Sequence, residues 1–306
     1  MGTCAICLGA TEADADCHEG CIESLFGTAV LPAIDVSLSE LQKTAAKMAG
    51  KMSISGVQEK VSLKLSSDKV RLIVAATGGR YILKPESSRF SALPQNEHLT
   101  MRLASLVGIE VPSFGLLRLR DNSLSYVVKR FDRSDDGSRL RVEDFCQLSA
   151  KPSRDKYSGS AELCIRCLRE YASEPLVQVR SLYKLLLFGW WVGNGDMHLK
   201  NFSLITGADG IGRLAPAYDL VCTKLVIPND SLALPVGGRN KNLTRRSWLV
   251  FAEYCSLPEK AAKRIIDEQI KALEPSLKLI SKSFLPDEMK TEFGRIIQDT
   301  TATLTG

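Results

Sequence analysis

The sequence predicts an α+β chain in two parts, a small β-rich part carrying a helix and then a mostly helical part. Two observations predict it. Between residues 60 and 129, short runs that alternate apolar and polar side chains are separated by Gly, Asp and Asn turn signals. Beyond residue 140 the apolar residues recur at helical spacing instead. A chain of 306 residues, 44% apolar and 25% charged, has enough material for two packed lobes or one large domain.

In order along the chain, "DVSLSELQKTAAKMAGK" reads as a helix, with Ser37 as its N-cap and Glu40 as capping-box partner. "KVSLKLSS", "VRLIVAA" and "YILKP", with a "TGGR" turn before the last, read as a meander of three strands. "PQNEHLTMRLASLVG" has Pro94 early, Leu99, Leu103 and Leu106 on one face and Gly108 at its end, which is a helix. "SFGLLRLR" and "SLSYVVKRF" are strands joined at Asp121 and Asn122. "VEDFCQLSA", "SAELCIRCLREYA", "VRSLYKLLLFGWWVG", "RRSWLVFAEYC", "PEKAAKRIIDEQIKALE" and "DEMKTEFGRIIQDT" are helix-like, with the strand-turn "FSLITGADGIGRL" among them. The organisation expected is a Cys-rich segment over 1–30, a first lobe over 31–140 and a helical lobe over 141–306.

No run of eighteen apolar residues occurs, and the opening residues lack the basic–apolar–small order of a secretory signal, so a cytoplasmic protein with no membrane partner is expected. Ile6 stands where an N-acylation motif wants Ser or Thr. The net charge of +5 is spread along the chain, densest at "NKNLTRR" and "KRFDR", and gives no sign of a nucleic-acid binder.

Five of the nine cysteines (Cys146, Cys164, Cys167, Cys222, Cys255) sit in amphipathic or apolar segments and read as buried thiols. The other four lie in the first 21 residues, as "CAIC" and "CHEGC". A two-residue spacer lets two thiolates face one cation, and a second pair nearby completes a tetrahedral set. Cys4, Cys7, His18 and Cys21 are the expected zinc ligands, with Cys17 spare; an unliganded reduced terminus or a redox pair is the competing reading.

Phosphoryl transfer needs a cation on the nucleotide phosphates, a carboxylate and an amide oxygen on magnesium, and an acid that takes the proton of the attacking hydroxyl. Asp196 to Asn201, in "GDMHLKN", has the D-x-x-x-x-N spacing of a kinase catalytic loop. Eighteen residues after Asn201, Asp219 of "APAYDLV" stands where a kinase has the acid of its D-F-G motif, here in a Tyr-Asp-Leu setting. Lys84 ends a strand, as a phosphate-binding lysine does, and Glu97 of the next helix is its candidate partner. "SISGVQEK" precedes a strand, where a nucleotide-covering loop belongs.

"SISGVQEK", "ILKP", "NEHLTMRLASLVGIEVP", "VVKRFDR", "GNGDMHLKNFSL" and "LAPAYDLV" together resemble the HipA family of serine/threonine kinase toxins of bacterial toxin–antitoxin systems, and most of all its short, HipT-like form. The resemblance covers roughly residues 50–225. It implies a bilobal, protein-kinase-like α+β fold that uses ATP and magnesium. It further implies Asp196 as the catalytic acid, Asn201 and Asp219 as magnesium ligands, and Lys84 and His198 on phosphate oxygens. Backbone groups of Lys129 and Phe131 would meet adenine, with Asp132 near the ribose. Ser53 and Ser55 would be autophosphorylation sites in the loop over ATP, where a phosphate adds nearly two negative charges and silences the enzyme. The implied target is an aminoacyl-tRNA synthetase. The implied partners are a small HipS-like antitoxin and a HipB-like DNA-binding antitoxin, so DNA contact would be indirect. Longer HipA members carry a further N-terminal domain, which the resemblance to the short form leads one not to expect here, and the family assigns no chemistry to the Cys-rich opening.

Two rival functions remain open from the residues alone: a non-catalytic nucleotide-binding module that assembles antitoxins on DNA, and a small-molecule kinase. For single residues the plainer readings are a backbone hydrogen bond for His198, electrostatic support for Lys200, and turn capping for Ser53 and Ser55. Phe188, Trp190 and Trp191 read as core aromatics.

Overall fold

A computed structural model describes residues 2–12, 15–49, 59–134 and 137–306, the side chains of 45–49 excepted. Ser53 and Ser55 lie outside the described residues. The chain divides into two compact units, one of residues 1–102, 112–138 and 281–286, the other of 103–111, 139–280 and 287–306.

The first unit begins with a small ribbon, β1 (Gly2–Thr3) against β2 (Ala10–Thr11), followed by α1 (Glu19–Phe26) and α2 (Leu38–Ala49). The capping box read from the sequence is present: the Ser37 amide donates to Glu40 Oε2 at 2.7 Å, and the Glu40 amide to Ser37 Oγ at 3.4 Å. Strands β3 (Val61–Leu65), β4 (Leu72–Val74) and β5 (Tyr81–Lys84), helix α3 (Leu93–Leu106, whose residues from Leu103 on belong to the second unit), and strands β6 (Phe114–Arg118) and β7 (Leu124–Lys129) follow. The five strands form one antiparallel sheet in the order β4-β3-β5-β7-β6.

That order corrects the expected meander, because β3 lies between β4 and β5. Burial explains the choice. Val61 and Leu63 of β3 are fully buried, as central-strand residues are, whereas Ile73 and Val74 of the three-residue β4 are 40% and 42% exposed at the sheet edge. Gly79 lets the returning chain pass β3 closely: a Cβ there would stand 3.2 Å from the Leu63 carbonyl and strike the Ser62 side chain. The β6–β7 turn falls where Asp121 and Asn122 predict it, with Asn122 at φ 64° and its amide on Leu119 O. In α3, Leu99 and Leu103 are buried as expected but Leu106 is 45% exposed. The helix instead also buries Asn96, Glu97, His98 and Thr100, which a purely apolar stripe does not reveal.

The second unit contains β8 (Arg141–Asp144), α4 (Phe145–Leu148), α5 (Ala161–Tyr171), α6 (Pro175–Trp191), β9 (Ser203–Thr206), β10 (Gly212–Leu214), α7 (Arg245–Tyr254), α8 (Glu259–Lys271), α9 (Leu273–Ser281) and α10 (Asp287–Thr305). "VEDFCQLSA" is therefore a strand followed by one helical turn rather than a helix. Arg141–Asp144 pairs with Ser203–Thr206, and Asp144 then caps α4, its carboxylate taking the Gln147 amide at 2.9 Å. The stretch read as one helix from Pro258 onward breaks at Ala272 into α8 and α9.

Helix α6 is the rod around which this unit packs. Leu182, Tyr183, Leu187, Phe188 and Trp191 are each 0% exposed, worth about 1.5–3 kcal/mol apiece when fully buried. The Trp191 indole donates to Thr301 Oγ1 on α10 at 2.8 Å, and the Tyr183 hydroxyl to the Trp248 carbonyl on α7 at 3.0 Å. With the end of α6 pinned, the loop that leaves it starts from a fixed point.

Candidate active site

The loop leaving α6 turns at once. Gly193 takes φ 72°, and a Cβ on Gly195 would lie 2.6 Å from the Ser231 carbonyl, so both positions require glycine. Thr223 fastens the turn, accepting the Gly195 amide at 2.7 Å and donating toward the Gly193 carbonyl at 3.1 Å, with a short contact to Asp230. Asn194 Oδ1 receives the Asp196 amide at 3.1 Å. Asp196 is left exposed, its carboxylate accepting a 2.7 Å bond from the Tyr157 hydroxyl.

From Asp196 the chain passes through His198 into one 3-10 turn, Leu199–Asn201. Asn201 at the end of that turn is buried, and its Oδ1 accepts the His198 amide at 3.1 Å. Asn201 Nδ2 reaches Asp219 Oδ2 at 3.1 Å, so two residues far apart in sequence meet over one spot. Asp219 is exposed and sits at φ 60°, the left-handed region, an unusual backbone for a residue with a side chain and a frequent one at functional sites. The β9–β10 hairpin carries the chain from Asn201 back to Asp219, helped by the Ala215 amide on Ser203 O at 2.8 Å.

The flanking residues show which parts of the site the sequence hides. Lys200 pairs with Asp144 of β8 at 2.6 Å, both side chains mostly buried, which makes it a strut of the loop. Tyr218 links the same parts, its hydroxyl on the Lys200 carbonyl at 2.8 Å and on Ser203 Oγ at 2.6 Å. His198 is buried edge-on to Tyr157, ring centroids 5.1 Å apart. Burial holds its pKa below the ordinary imidazole value, against the pull of Asp196, so the ring is neutral at physiological pH. Burial also raises the Tyr157 phenol, and the neighbouring Asp196 charge adds to this, so the hydroxyl remains a donor. Tyr157, Asp144 and Thr223 were not read from the sequence: each is brought in from a distant segment, and none carries a spacing signal.

Beside the loop, within the same unit, opens a cleft of about 610 Å³ whose lining includes Asn194, Gly195, Lys224, Asp230, Lys241 and Arg295. Two of these cations come from the "NKNLTRR" region and the last helix.

The first unit holds the expected phosphate lysine. Lys84 Nζ stands 2.6 Å from Glu97 Oε1, with the side chains 11% and 1% exposed, and 5.7 Å from the Tyr126 ring centroid. The Lys129 amide donates to Ser113 O at 2.8 Å, so that N–H is committed within the sheet and is not what an adenine would meet. The Asp132 carboxylate is spanned by Arg130 at 2.8 and 2.6 Å and by Arg133 at 2.6 Å. Burial pushes the Asp132 carboxyl up, but the two guanidinium groups outweigh it and the net shift is downward. Phe131 follows Arg130, whose amide bonds the Arg80 carbonyl at 2.8 Å. In the ribbon at the start of the chain, Cys4, Cys7, His18 and Cys21 converge, their ligand atoms all within 4.8 Å of one another.

The HipA-like C-terminal domain family matches residues 52–277, a stretch that contains both Lys84 and Asp219. The chain belongs to that family. A relative, "Putative kinase Y4mE" of Sinorhizobium fredii, is 33% identical over 215 residues, 66% of this chain and 50% of that protein. The chain thus spans half of that relative's length. Among solved structures, HipA in the toxin–antitoxin complex of Shewanella oneidensis HipA, HipB and operator DNA superposes at TM-score 0.69. It shares 20% identity and covers 89% of this chain and 71% of that one. The Helicobacter pylori proinflammatory kinase CtkA superposes at TM-score 0.59 with 12% identity, covering 83% of this chain and 92% of that one. At these identities the likeness establishes the fold, an α+β arrangement of HipA and kinase type. The HipA-like match begins after the Cys4 cluster, so that cluster lies outside the family domain.

Proposed function

We propose that this chain is a cytoplasmic, ATP- and magnesium-dependent protein kinase that phosphorylates serine or threonine, and that it acts as the toxin of a toxin–antitoxin system. The observation that carries the reading is the 3.1 Å hydrogen bond from Asn201 Nδ2 to Asp219 Oδ2, which sets this amide and carboxylate side by side in the unit that also carries the exposed Asp196. An amide and a carboxylate are the hard oxygen donors that suit magnesium, and the ion they would hold screens the charge of the phosphates. Asp196 accepts the hydroxyl proton as the hydroxyl oxygen bonds the γ-phosphorus and the bond from that phosphorus to the β-phosphate bridge breaks, releasing ADP. Lys84, held by Glu97, supplies a positive charge to the phosphates. His198, neutral and buried, contributes a hydrogen bond at most.

Family membership, together with the Shewanella oneidensis complex in which HipA is joined by HipB and operator DNA, supports a HipB-like, DNA-binding antitoxin as one partner. A HipS-like protein is proposed as another, with DNA met only through these partners. An aminoacyl-tRNA synthetase is the proposed substrate. Ser53 and Ser55 are the proposed autophosphorylation sites, by which the enzyme silences itself.

The test is intact mass after incubation with magnesium-ATP, alone and with bacterial lysate, beside an Asp219→Asn variant. Phosphoryl mass on Ser53 or Ser55 and labelling of a synthetase, both absent from the variant, support the reading. ATP binding without transfer to any protein would replace it with the non-catalytic module, and transfer only to small molecules with a small-molecule kinase.

A further inference from the structure

The N-terminal ribbon has a construction that phosphoryl transfer does not use. Between β1 and β2 the chain makes a tight turn, with the Cys4 amide on Gly9 O at 2.8 Å, the Leu8 amide on Cys4 O at 3.0 Å, and Leu8 at φ 64°. Two amides of the turn point at sulfur: Cys7 N lies 3.5 Å from Cys4 Sγ, and Gly9 N 3.3 Å from Cys7 Sγ. N–H groups aimed at sulfur favour the thiolate form, the form that binds metals. The second pair of ligands is set by α1. His18 is its N-cap, the Cys21 amide donates to the His18 carbonyl at 3.0 Å, and one helical turn brings Cys21 Sγ to 3.7 Å from His18 Nδ1. Cys7 Sγ lies 3.3 Å from the same nitrogen.

The imidazole is also oriented. His18 Nε2 lies 2.9 Å from the Ala10 carbonyl, an acceptor only, so Nε2 carries the hydrogen and the lone pair of Nδ1 faces the sulfurs. A metal-binding histidine needs that division of labour. Gly9 leaves the room: a Cβ there would stand 3.1 Å from His18 Cε1 and 3.2 Å from Cys7 Sγ. Bonds of roughly 2.0–2.3 Å to a tetrahedral ion separate neighbouring ligand atoms by roughly 3.3–3.8 Å. The distances of 3.3 and 3.7 Å already match, and the full set lies within 4.8 Å. Cys17 is not among the four whose ligand atoms converge; its thiol instead hydrogen-bonds the Cys4 sulfur from within the same apolar core.

We propose that Cys4, Cys7, His18 and Cys21 bind one zinc ion in a closed tetrahedral site, and that this ion fastens the ribbon onto the sheet edge and helix α3. Three thiolates and an imidazole favour zinc over hard cations, and four protein ligands leave no open position, which makes the site structural. Two strands of two residues and an eight-residue helix bury little by themselves, so metal binding supplies the folding free energy of the ribbon. Both attachments come from residues between the first two ligands. The Ala5 carbonyl accepts the Leu116 amide of edge strand β6 at 2.8 Å, and the Ile6 carbonyl accepts His98 Nε2 of α3 at 2.9 Å. Gly115 admits the turn, since a Cβ there would lie 2.8 Å from Ile6 Cγ1. His98 adjoins Glu97, the partner of Lys84, so the ion steadies the helix that carries that pair.

The experiment is elemental analysis of the full chain purified from zinc-supplemented medium without chelator, followed by hydrogen exchange before and after zinc is stripped with a mercurial and a chelator. Neither readout depends on catalysis, so the zinc site and the kinase reading fail separately. The expected result is about one zinc per chain. It is lost in Cys7→Ser and Cys21→Ser and kept in Cys17→Ser, and cobalt in its place gives the visible absorption of a tetrahedral thiolate site. Stripping should raise exchange at Leu116 and across residues 93–102 while α5 stays protected. Purified wild-type chain without stoichiometric zinc, iron in its place, or a mass two hydrogens short from a Cys4–Cys7 disulfide would overturn the site. Retention of the metal in the Cys21→Ser variant with loss in Cys17→Ser would overturn the ligand set. Zinc that leaves without altering exchange in α3 would overturn the fastening.

Discussion

The two polar clusters of this chain are assembled in opposite ways. The ribbon's four ligands come from 18 consecutive residues and point at one another around a common centre. The candidate active-site loop draws on β8, the segment around Tyr157, the loop after α6 and Asp219, and each charged side chain already has a neighbour: Asp196 with Tyr157, Lys200 with Asp144, Asp219 with Asn201. A cluster of the first kind needs an ion to be satisfied. One of the second kind is complete as a scaffold without any ligand. The ribbon should therefore fail as a unit, while substitutions in the loop should separate chemistry from stability.

The sharpest form of that separation is Asp196→Asn. The residue is exposed and its backbone amide is held by Asn194, so the variant keeps its fold. Phosphoryl transfer should fall by about 10²–10⁴-fold, the range for losing a positioned proton acceptor, with ATP affinity and Tm nearly unchanged. Turnover within a factor of two of wild type would remove Asp196 from the proposed role.

Lys84→Met reverses the pattern, because Glu97 is 1% exposed and loses the ammonium that faces it at 2.6 Å. Breaking a buried pair on one side costs about 3–5 kcal/mol, a fall in Tm on the order of 10 °C by calorimetry. Adding Glu97→Leu should restore part of it, since the buried carboxylate left without its ammonium, and not the missing bond, carries most of the penalty. A single variant as stable as wild type would mean that water reaches Glu97 and the pair is peripheral.

A third prediction uses pH. Burial lowers His98 from its ordinary value of 6.5 to about 4. In the unfolded chain the same ring protonates near 6.5, so between those values acid binds the unfolded state preferentially. The stabilisation is complete above pH 6.5 and is lost as pH falls toward 4, by about 1.4 kcal/mol per unit and about 3 kcal/mol in all. Denaturant melts at pH 7, 6 and 5 should show the decline in wild type and a shallower one in His98→Gln, which keeps a donor for the Ile6 carbonyl. Equal slopes would show that other groups set the acid limit.

How much of this was legible in the sequence follows from the same contrast. Spacings within one loop or one turn were readable: Asp196 to Asn201, Ser37 to Glu40, and the two cysteine pairs each state a local geometry that backbone sterics nearly dictate. Apolar alternation told which side of β3 faces inward, but alternation is identical for a central and an edge strand, so the order β4-β3-β5 could not be read from it. The apolar pattern of α3 likewise missed that Glu97 and His98 are among its most buried residues, because a polar residue signals burial only through its partner. Lys84 and Glu97 were placed as a pair only by analogy with kinase chemistry. Tyr157 and Asp144 had no such analogy to draw them in.

Tyr157 therefore offers the finest test. Its hydroxyl gives Asp196 a 2.7 Å bond while the residue is 50% exposed. An exposed hydrogen bond to a carboxylate does little for folding, since water replaces it, but it fixes which way the carboxylate faces the incoming hydroxyl. Tyr157→Phe keeps the edge-on contact with His198 and removes only the donor. The expected loss is about 1 kcal/mol of transition-state stabilisation, roughly fivefold in kcat, with KM for ATP and Tm unmoved. A matching fall in Tm would make Tyr157 a packing residue of the loop. An unchanged kcat would mean that the Asn194 contact to the Asp196 amide suffices to aim the acid.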